Sequence, residues 1–75
     1  AMPSSPPLGT GKLTLGQLAE RYGLDARQAV HILEKDGMSV GPGKTLKEIA
    51  SSNATSARDI YDLLWQNRDE LQTTP

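Results

Sequence analysis

The 75-residue chain lacks cysteine and phenylalanine, and it has only one histidine, one tryptophan and two tyrosines. Without cysteine there are no disulfides, zinc knuckles, iron–sulfur sites or thiol catalysis, and His31 has no second imidazole with which to share a metal. The formal net charge of −1 disfavours binding to nucleic acid by electrostatics alone. No apolar run approaches the roughly 20 residues that span a bilayer. These absences favour one small soluble domain with an aliphatic core, outside the membrane.

The ends of the chain differ in composition from its middle. Residues 1–9 read AMPSSPPLG, with three prolines and two serines, and are predicted to be a disordered linker or a remnant of cloning. Residues 72–75 are predicted to be a disordered tail. The folded unit is therefore expected to cover residues 10–71.

Two segments of the folded unit resemble each other. Residues 14–33 read TLGQLAERYGLDARQAVHIL, and residues 45–64 read TLKEIASSNATSARDIYDLL. Aligned without gaps, they share six identities, among them Thr14 with Thr45 and Leu33 with Leu64. The two residues of every aligned pair are separated by the same number of positions as Thr14 and Thr45. We call this constant separation the alignment offset. The alignment predicts an internal repeat within the folded unit.

Helix-start signals support this repeat. An N-cap residue accepts hydrogen bonds from the first backbone amides of a helix, and a Glu or Gln three residues later can accept from the amide of the cap residue. Four such pairs occur at matching places in the two segments: Thr14 with Gln17, Asp25 with Gln28, Thr45 with Glu48, and Ser56 with Asp59. Asp59 makes the weakest pair because its side chain is one carbon shorter.

The stop signals complete the helix boundaries. Gly23 and Gly37 can adopt the left-handed conformation that ends a helix, and Asn53 is expected to do the same for the third helix. The predicted helices cover residues 15–22, 26–36, 46–53 and 57–70. The fold class is therefore all-α, with four short helices arranged as two repeated helix-turn-helix-like hairpins.

One row of side chains on the last helix is the candidate site for a protein partner. Tyr61 and Trp65 are spaced by one helical turn, and Arg68 continues their row. Tyr, Trp and Arg are the residue types that dominate interface hot spots. The structural alternative is that Trp65 covers the edge of the core.

The helix-turn-helix spacing leaves DNA binding as an alternative function. Arg27, Gln28 and His31 would lie on the outer face of the second helix, where such proteins read bases. Carboxylates at positions 25, 34 and 36 would oppose the phosphates. A mixed-charge solvated face is favoured over a DNA-binding face.

No pattern in the chain indicates an enzyme. The segment Gly41–Thr45 resembles part of a phosphate-binding loop, but it lacks the required earlier glycine, since Met38 stands at that position. The carboxylates of Asp59 and Asp62 need a pocket to become an acid–base pair, and a chain of this size has little room for one. No catalytic residue, metal site or cofactor is expected.

Two resemblances concern the wider context. The phrase GKLTLGQLA, a short loop and then KTLKEIA and DIYDLL resemble a tandem-repeat helical module, over residues 9–64. That module forms the soluble tail of uncharacterised bacterial cytochrome-b-like or ferredoxin-associated membrane proteins. The resemblance implies a soluble accessory domain at the membrane surface of a bacterial cell, with no established activity.

The second resemblance covers less of the chain. The phrase LAERYGL, with Leu33 and the later DGMSV, is similar to the small N-terminal helical domain of bacterial translation initiation factor two. The second half of the chain departs from that pattern because it repeats the first half. Taken together, the sequence predicts a non-catalytic helical docking module for a protein partner or for other domains of its parent chain.

Overall fold

The computed structural model describes residues 2–72, and this part of the chain is all-α. A 3-10 turn at Thr10–Lys12 precedes five helices: α1 (Leu15–Tyr22), α2 (Ala26–Lys35), α3 (Leu46–Ser52), α4 (Ala57–Gln66) and α5 (Arg68–Leu71). α1 packs against α2, and α3 packs against α4. The predicted fold class and the two helical pairs are confirmed. No helix within residues 2–72 is both long enough and apolar enough to cross a membrane.

The helix starts follow the predicted capping chemistry. The Thr14 hydroxyl accepts from the Gln17 amide at 3.0 Å, and the Gln17 side chain accepts from the Thr14 amide at 2.9 Å. Thr45 and Glu48 make the same two bonds at 3.1 and 2.9 Å. Each of these short helices is thus fixed at its N-terminus by two reciprocal bonds.

The other two helix starts are capped in one direction. The Asp25 carboxylate accepts from the amides of Arg27 and Gln28, and the Ser56 hydroxyl accepts from the Asp59 amide. α2 and α4 therefore begin where predicted, but the structure gives them simple caps in place of reciprocal pairs.

Glu48 makes one of these caps sensitive to pH. Hydrogen bonds from the backbone and side chain of Thr45 lower the pKa of the Glu48 carboxyl, with a smaller contribution from Lys44. A lowered folded-state pKa adds stability above the unfolded pKa, and this stability is lost as the pH falls through the folded pKa. We expect Glu48→Gln to flatten the acid limb of the stability curve, measured by urea unfolding between pH 3 and 6. An unchanged acid limb would show that the cap does not favour the charged carboxylate.

One predicted left-handed residue is wrong, although Asn53 does cap the end of α3. Gly23 and Gly37 have positive φ angles of 66° and 90°, as expected, but Asn53 has φ −118°. The left-handed residue is Ala54, with φ 54°, and it is the residue that aligns with Gly23. The backbone at this turn therefore keeps the geometry of the first hairpin although the residue is not glycine.

The Asn53 side chain has a different role. Its amide nitrogen donates to the carbonyls of Ile49 at 2.8 Å and Ser39 at 2.9 Å, and its side-chain oxygen accepts from the Ser39 amide at 2.9 Å. These bonds attach the loop between the hairpins to the end of α3. Asn53 therefore lies at the end of α3 as predicted, and its side chain also makes a long-range connection to Ser39.

Ala54→Gly is expected to stabilise the domain by about 0.5–1 kcal/mol. The left-handed conformation costs an L-residue about 1–2 kcal/mol, and the greater freedom of glycine in the unfolded chain removes part of that gain. The matched variant Gly23→Ala is expected to lower stability by about 1 kcal/mol. Urea unfolding of both variants measures these changes, and a loss of stability in Ala54→Gly would contradict the assigned backbone conformation.

The hairpins contribute matched residues to one core. Five pairs of buried side chains are related by the alignment offset: Leu15 with Leu46, Leu18 with Ile49, Ala19 with Ala50, Ala29 with Ile60, and Leu33 with Leu64. All belong to a single hydrophobic cluster. Neither pair of short helices has enough apolar area to be stable alone, so the shared cluster holds both together.

The hairpins are also joined at their capped starts. The Leu15 amide donates to the Lys44 carbonyl, and the Leu46 amide donates to the Leu13 carbonyl, both at 3.0 Å. These two bonds are related by the alignment offset, and they place Thr14 and Thr45 in an antiparallel bridge.

The last predicted helix is divided at Asn67. The Asn67 side chain donates to the Leu63 carbonyl at 2.8 Å, and α5 begins at the next residue. Leu71, at the end of α5, is buried in the core, and its carbonyl accepts from the Asp25 amide at 2.6 Å. The second and third helices end at Lys35 and Ser52, one residue earlier than predicted.

The packed part of the structure begins before the predicted boundary at Thr10. Met2 is 6% exposed and belongs to the core cluster, and the Tyr61 hydroxyl donates to the Pro3 carbonyl. A flexible methionine can fill an irregular gap, and this contact is not visible in a composition dominated by proline and serine. We call residues 2–9 the N-terminal arm.

At the other end of the chain, Gln72 belongs to the predicted tail and makes an antiparallel β-bridge with Leu24. Residues 73–75 lie outside the described residues.

Candidate functional site

The first residue of the predicted partner row on α4 does not lie on the surface. Tyr61 is fully buried, because the N-terminal arm covers the side of α4 on which it lies. Burial raises the pKa of the Tyr61 phenol, with smaller contributions from Tyr22 and Asp62. Ile60 and Leu64, also on α4, are fully buried as well. The assignment of Tyr61 to an exposed binding surface is therefore corrected.

Trp65 and Arg68 contact each other. The guanidinium carbon of Arg68 lies 3.9 Å from the centroid of the Trp65 ring, and its Nη1 donates to the Trp65 carbonyl at 2.9 Å. Both residues are half-buried, and Trp65 packs against the core cluster. Arg68 therefore uses its cation and one donor to fasten α5 to the end of α4.

The residues of the DNA-binding alternative lie together on α2. Arg27, Gln28 and His31 all lie on the outer side of this helix, away from the core cluster. Their side chains make no hydrogen bond or ion pair with any other part of residues 2–72. Glu34 and Asp36 are exposed at the far end of this helix and its cap, so the face has mixed charge.

An apolar groove lies beside this face. It has a volume of about 300 Å³ and is lined by Ala26, Arg27, Val30 and Pro42. Ala26 and Val30 lie one helical turn apart on α2, whereas Pro42 comes from the loop between the hairpins. We call this cavity the α2 groove.

The loop between the hairpins lies close to α1 at Gly16. The Gly16 amide donates to the Pro42 carbonyl at 3.1 Å. This bond holds Pro42 in place, so the far wall of the α2 groove is preformed. Sequence reasoning missed the groove because Pro42 is brought to α2 only by the tertiary fold.

The remaining polar groups serve local contacts. Arg58 lies 3.9 Å from the Asp62 carboxylate, and the Thr55 hydroxyl donates to Asp59 at 3.4 Å. Within residues 2–72 no three His, Asp or Glu side chains lie close enough together to hold a metal ion. Among the cavities in the described part of the chain, the α2 groove has the most apolar lining.

Comparison of the chain with protein-family models, with curated proteins and with solved structures found no match. The site is therefore interpreted from its own geometry.

Proposed function

We propose that this chain is a non-catalytic helical docking module and that the α2 groove is its binding surface. The observation that supports this function best is the composition of the groove, in which Ala26, Val30 and Pro42 present apolar surface beside exposed polar residues. Binding sites typically combine such an apolar floor with a few polar groups at the edge. The partner is a peptide segment of another protein or of the parent chain.

The groove is held in shape on both sides. Ala29 and Leu33, on the adjoining face of α2, are buried in the core and fix the orientation of the helix. Pro42 has a restricted backbone and its carbonyl is bonded to Gly16. A preformed groove loses little conformational entropy on binding, which favours affinity from a small contact area.

We further propose that the two hairpins are an internal repeat. The matched caps, the five buried pairs and the reciprocal bonds between Leu13–Leu15 and Lys44–Leu46 all support a common ancestral hairpin. The resemblance to a tail module of bacterial membrane proteins favours docking to the parent chain. Transmembrane segments encoded before Ala1 would support that context.

A peptide-library selection tests the docking function. Peptides selected on the immobilised chain are expected to bind the unaltered protein and to lose about tenfold in affinity with Val30→Thr, since the isosteric hydroxyl places a polar group on the apolar floor. The matched control is Ser51→Thr, on the exposed side of α3. If the selected peptides bind Val30→Thr and the unaltered chain equally, the α2 groove is not the docking surface.

DNA binding is the second candidate function. The positions of Arg27, Gln28 and His31 on the outer side of the second helix of a hairpin favour it. Fluorescence anisotropy with a labelled DNA duplex should then show binding that weakens steeply as salt is added. Absence of binding at low ionic strength eliminates this function.

A further inference from the structure

The α2 groove has a counterpart on the second hairpin. The Lys44 amide donates to the Gly41 carbonyl at 3.0 Å, and at the alignment offset the Leu13 amide donates to the Thr10 carbonyl at 3.1 Å. The two turns are therefore alike. The counterpart of Pro42 is Gly11, where an added Cβ would lie 3.8 Å from the Ala57 Cβ.

A chain segment covers the counterpart. Tyr61 is the residue that aligns with Val30, and it is fully buried with its hydroxyl bonded to Pro3 in the N-terminal arm. Met2 of the same arm is buried in the core. A peptide segment with a buried apolar side chain thus lies against α4 at Tyr61.

The α2 groove is open by comparison. Val30 is only half-buried, and its neighbours Ala26 and Pro42 line a cavity among the described residues. The covered counterpart shows the kind of segment that fits there, namely a peptide without helical structure that carries an apolar side chain.

The charge at the edge of the groove defines the occupant further. Arg58 has a carboxylate partner, Asp62, at 3.9 Å. Arg27 stands at the equivalent position, but the residue equivalent to Asp62 is His31. The nearest carboxylate in sequence, Asp25, accepts from the backbone amides of Arg27 and Gln28 and makes no ion pair with the Arg27 side chain within residues 2–72. Arg27 therefore leaves its positive charge at the edge of an apolar groove.

We propose that the α2 groove binds an extended peptide that carries an aliphatic side chain with a carboxylate beside it. This proposal rests on the proposed function. The aliphatic side chain packs over Ala26, Val30 and Pro42, and the carboxylate pairs with Arg27. The charge complementarity at Arg27 distinguishes this occupant from a purely apolar one.

A second copy of the chain fits less well. Leu8 is fully exposed and could enter the groove of another molecule. Residues 2–12 contain no Asp or Glu, so Leu8 would leave Arg27 without a partner. We therefore assign the groove to a different, acidic segment.

Fluorescence anisotropy with defined peptides tests the assignment. The probe is labelled Ser-Pro-Leu-Glu-Pro-Ser, and the comparison peptides replace its Glu by Gln or its Leu by Ser. We expect the Glu-to-Gln change in the peptide, and Arg27→Glu in the protein, each to weaken binding about fivefold, the scale of an exposed ion pair. Arg58→Glu is the matched control, since its side chain is 67% exposed on the equivalent position of α4, and it should leave the affinity unchanged. Circular dichroism confirms that both variants are folded.

The outcomes separate the two proposals. Equal affinity for the Glu and Gln peptides, with weaker binding of the Leu-to-Ser peptide and of Val30→Thr, would overturn the acidic occupant and keep the groove as a docking surface. Affinities that Val30→Thr does not alter would overturn both. Sedimentation of the chain alone completes the test: self-association that Leu8→Ala abolishes would assign the groove to a second copy and overturn the acidic peptide.

Discussion

Replacing Tyr61 with Ala is expected to destabilise the domain by about 3–5 kcal/mol, the usual cost of truncating a buried aromatic side chain. Tyr61 is fully buried, and its hydroxyl ties the N-terminal arm to α4. The change removes a large part of the core and releases the arm at the same time. Since small domains have only about 5 kcal/mol to lose, little stability should remain, and a measurable fraction of the variant should be unfolded at 25 °C.

Tyr61→Phe is the matched control. It keeps the ring and removes only the hydroxyl that donates to the Pro3 carbonyl. The expected loss is about 1 kcal/mol, the net value of one hydrogen bond. Urea unfolding measures both variants. If Tyr61→Ala is as stable as the unaltered chain, Tyr61 lies on the surface, and the α4 row of Tyr61, Trp65 and Arg68 again becomes the candidate partner site.

Leu64→Ala is expected to cost about 2–5 kcal/mol and to destabilise both hairpins together. Leu64 and its counterpart Leu33 are fully buried in the shared cluster. A cavity at either position weakens the contacts that hold the two hairpins to each other. Leu33→Ala should therefore reduce the stability of α3 and α4 as well as that of its own hairpin.

Amide hydrogen exchange measures this coupling residue by residue. Both variants should lose protection in both hairpins to the same extent, as expected for one cooperative unit. Leu8→Ala is the control, because Leu8 is fully exposed and its truncation should change stability by less than about 0.5 kcal/mol. Loss of protection confined to the mutated hairpin would show two independent units.

The parts of the fold that the sequence predicts are those set by local chemistry. Thr14 and Thr45 start helices because a hydroxyl and a Gln or Glu three residues later satisfy the first amides without help from the rest of the chain. Gly23 and Gly37 stop helices because glycine has no Cβ to oppose a positive φ. These signals depend on near neighbours in the chain, so pattern and structure agree.

The parts that the sequence does not predict depend on distant contacts. Tyr61 is spaced for an exposed row, but it is fully buried, and its hydroxyl donates to the Pro3 carbonyl at the other end of the chain. Asn53 is a residue type that can adopt the left-handed conformation after a helix, but its side chain bonds Ser39 in the loop between the hairpins. Ala54 adopts the left-handed conformation in its place. In each case a tertiary interaction outweighs the local preference.

The candidate site also combines features set by the local sequence with features set by distant contacts. The outward position of Arg27, Gln28 and His31 follows from their periodicity on α2 and could be predicted. The groove could not, since its wall is Pro42, which lies in the loop beyond the end of α2 and reaches that helix only when the Gly16 amide bonds its carbonyl. Nothing in the local sequence around Pro42 indicates that contact.

The most direct test of the α2 groove as the binding surface is a nitrogen-15 NMR titration of the labelled chain with the Ser-Pro-Leu-Glu-Pro-Ser peptide. We predict that the largest changes in chemical shift occur at the amides of Ala26, Arg27 and Val30 and at the amide of Gly43, which follows Pro42. Changes concentrated on Trp65 and Arg68, with the α2 amides unmoved, would contradict the account and return the partner site to α4.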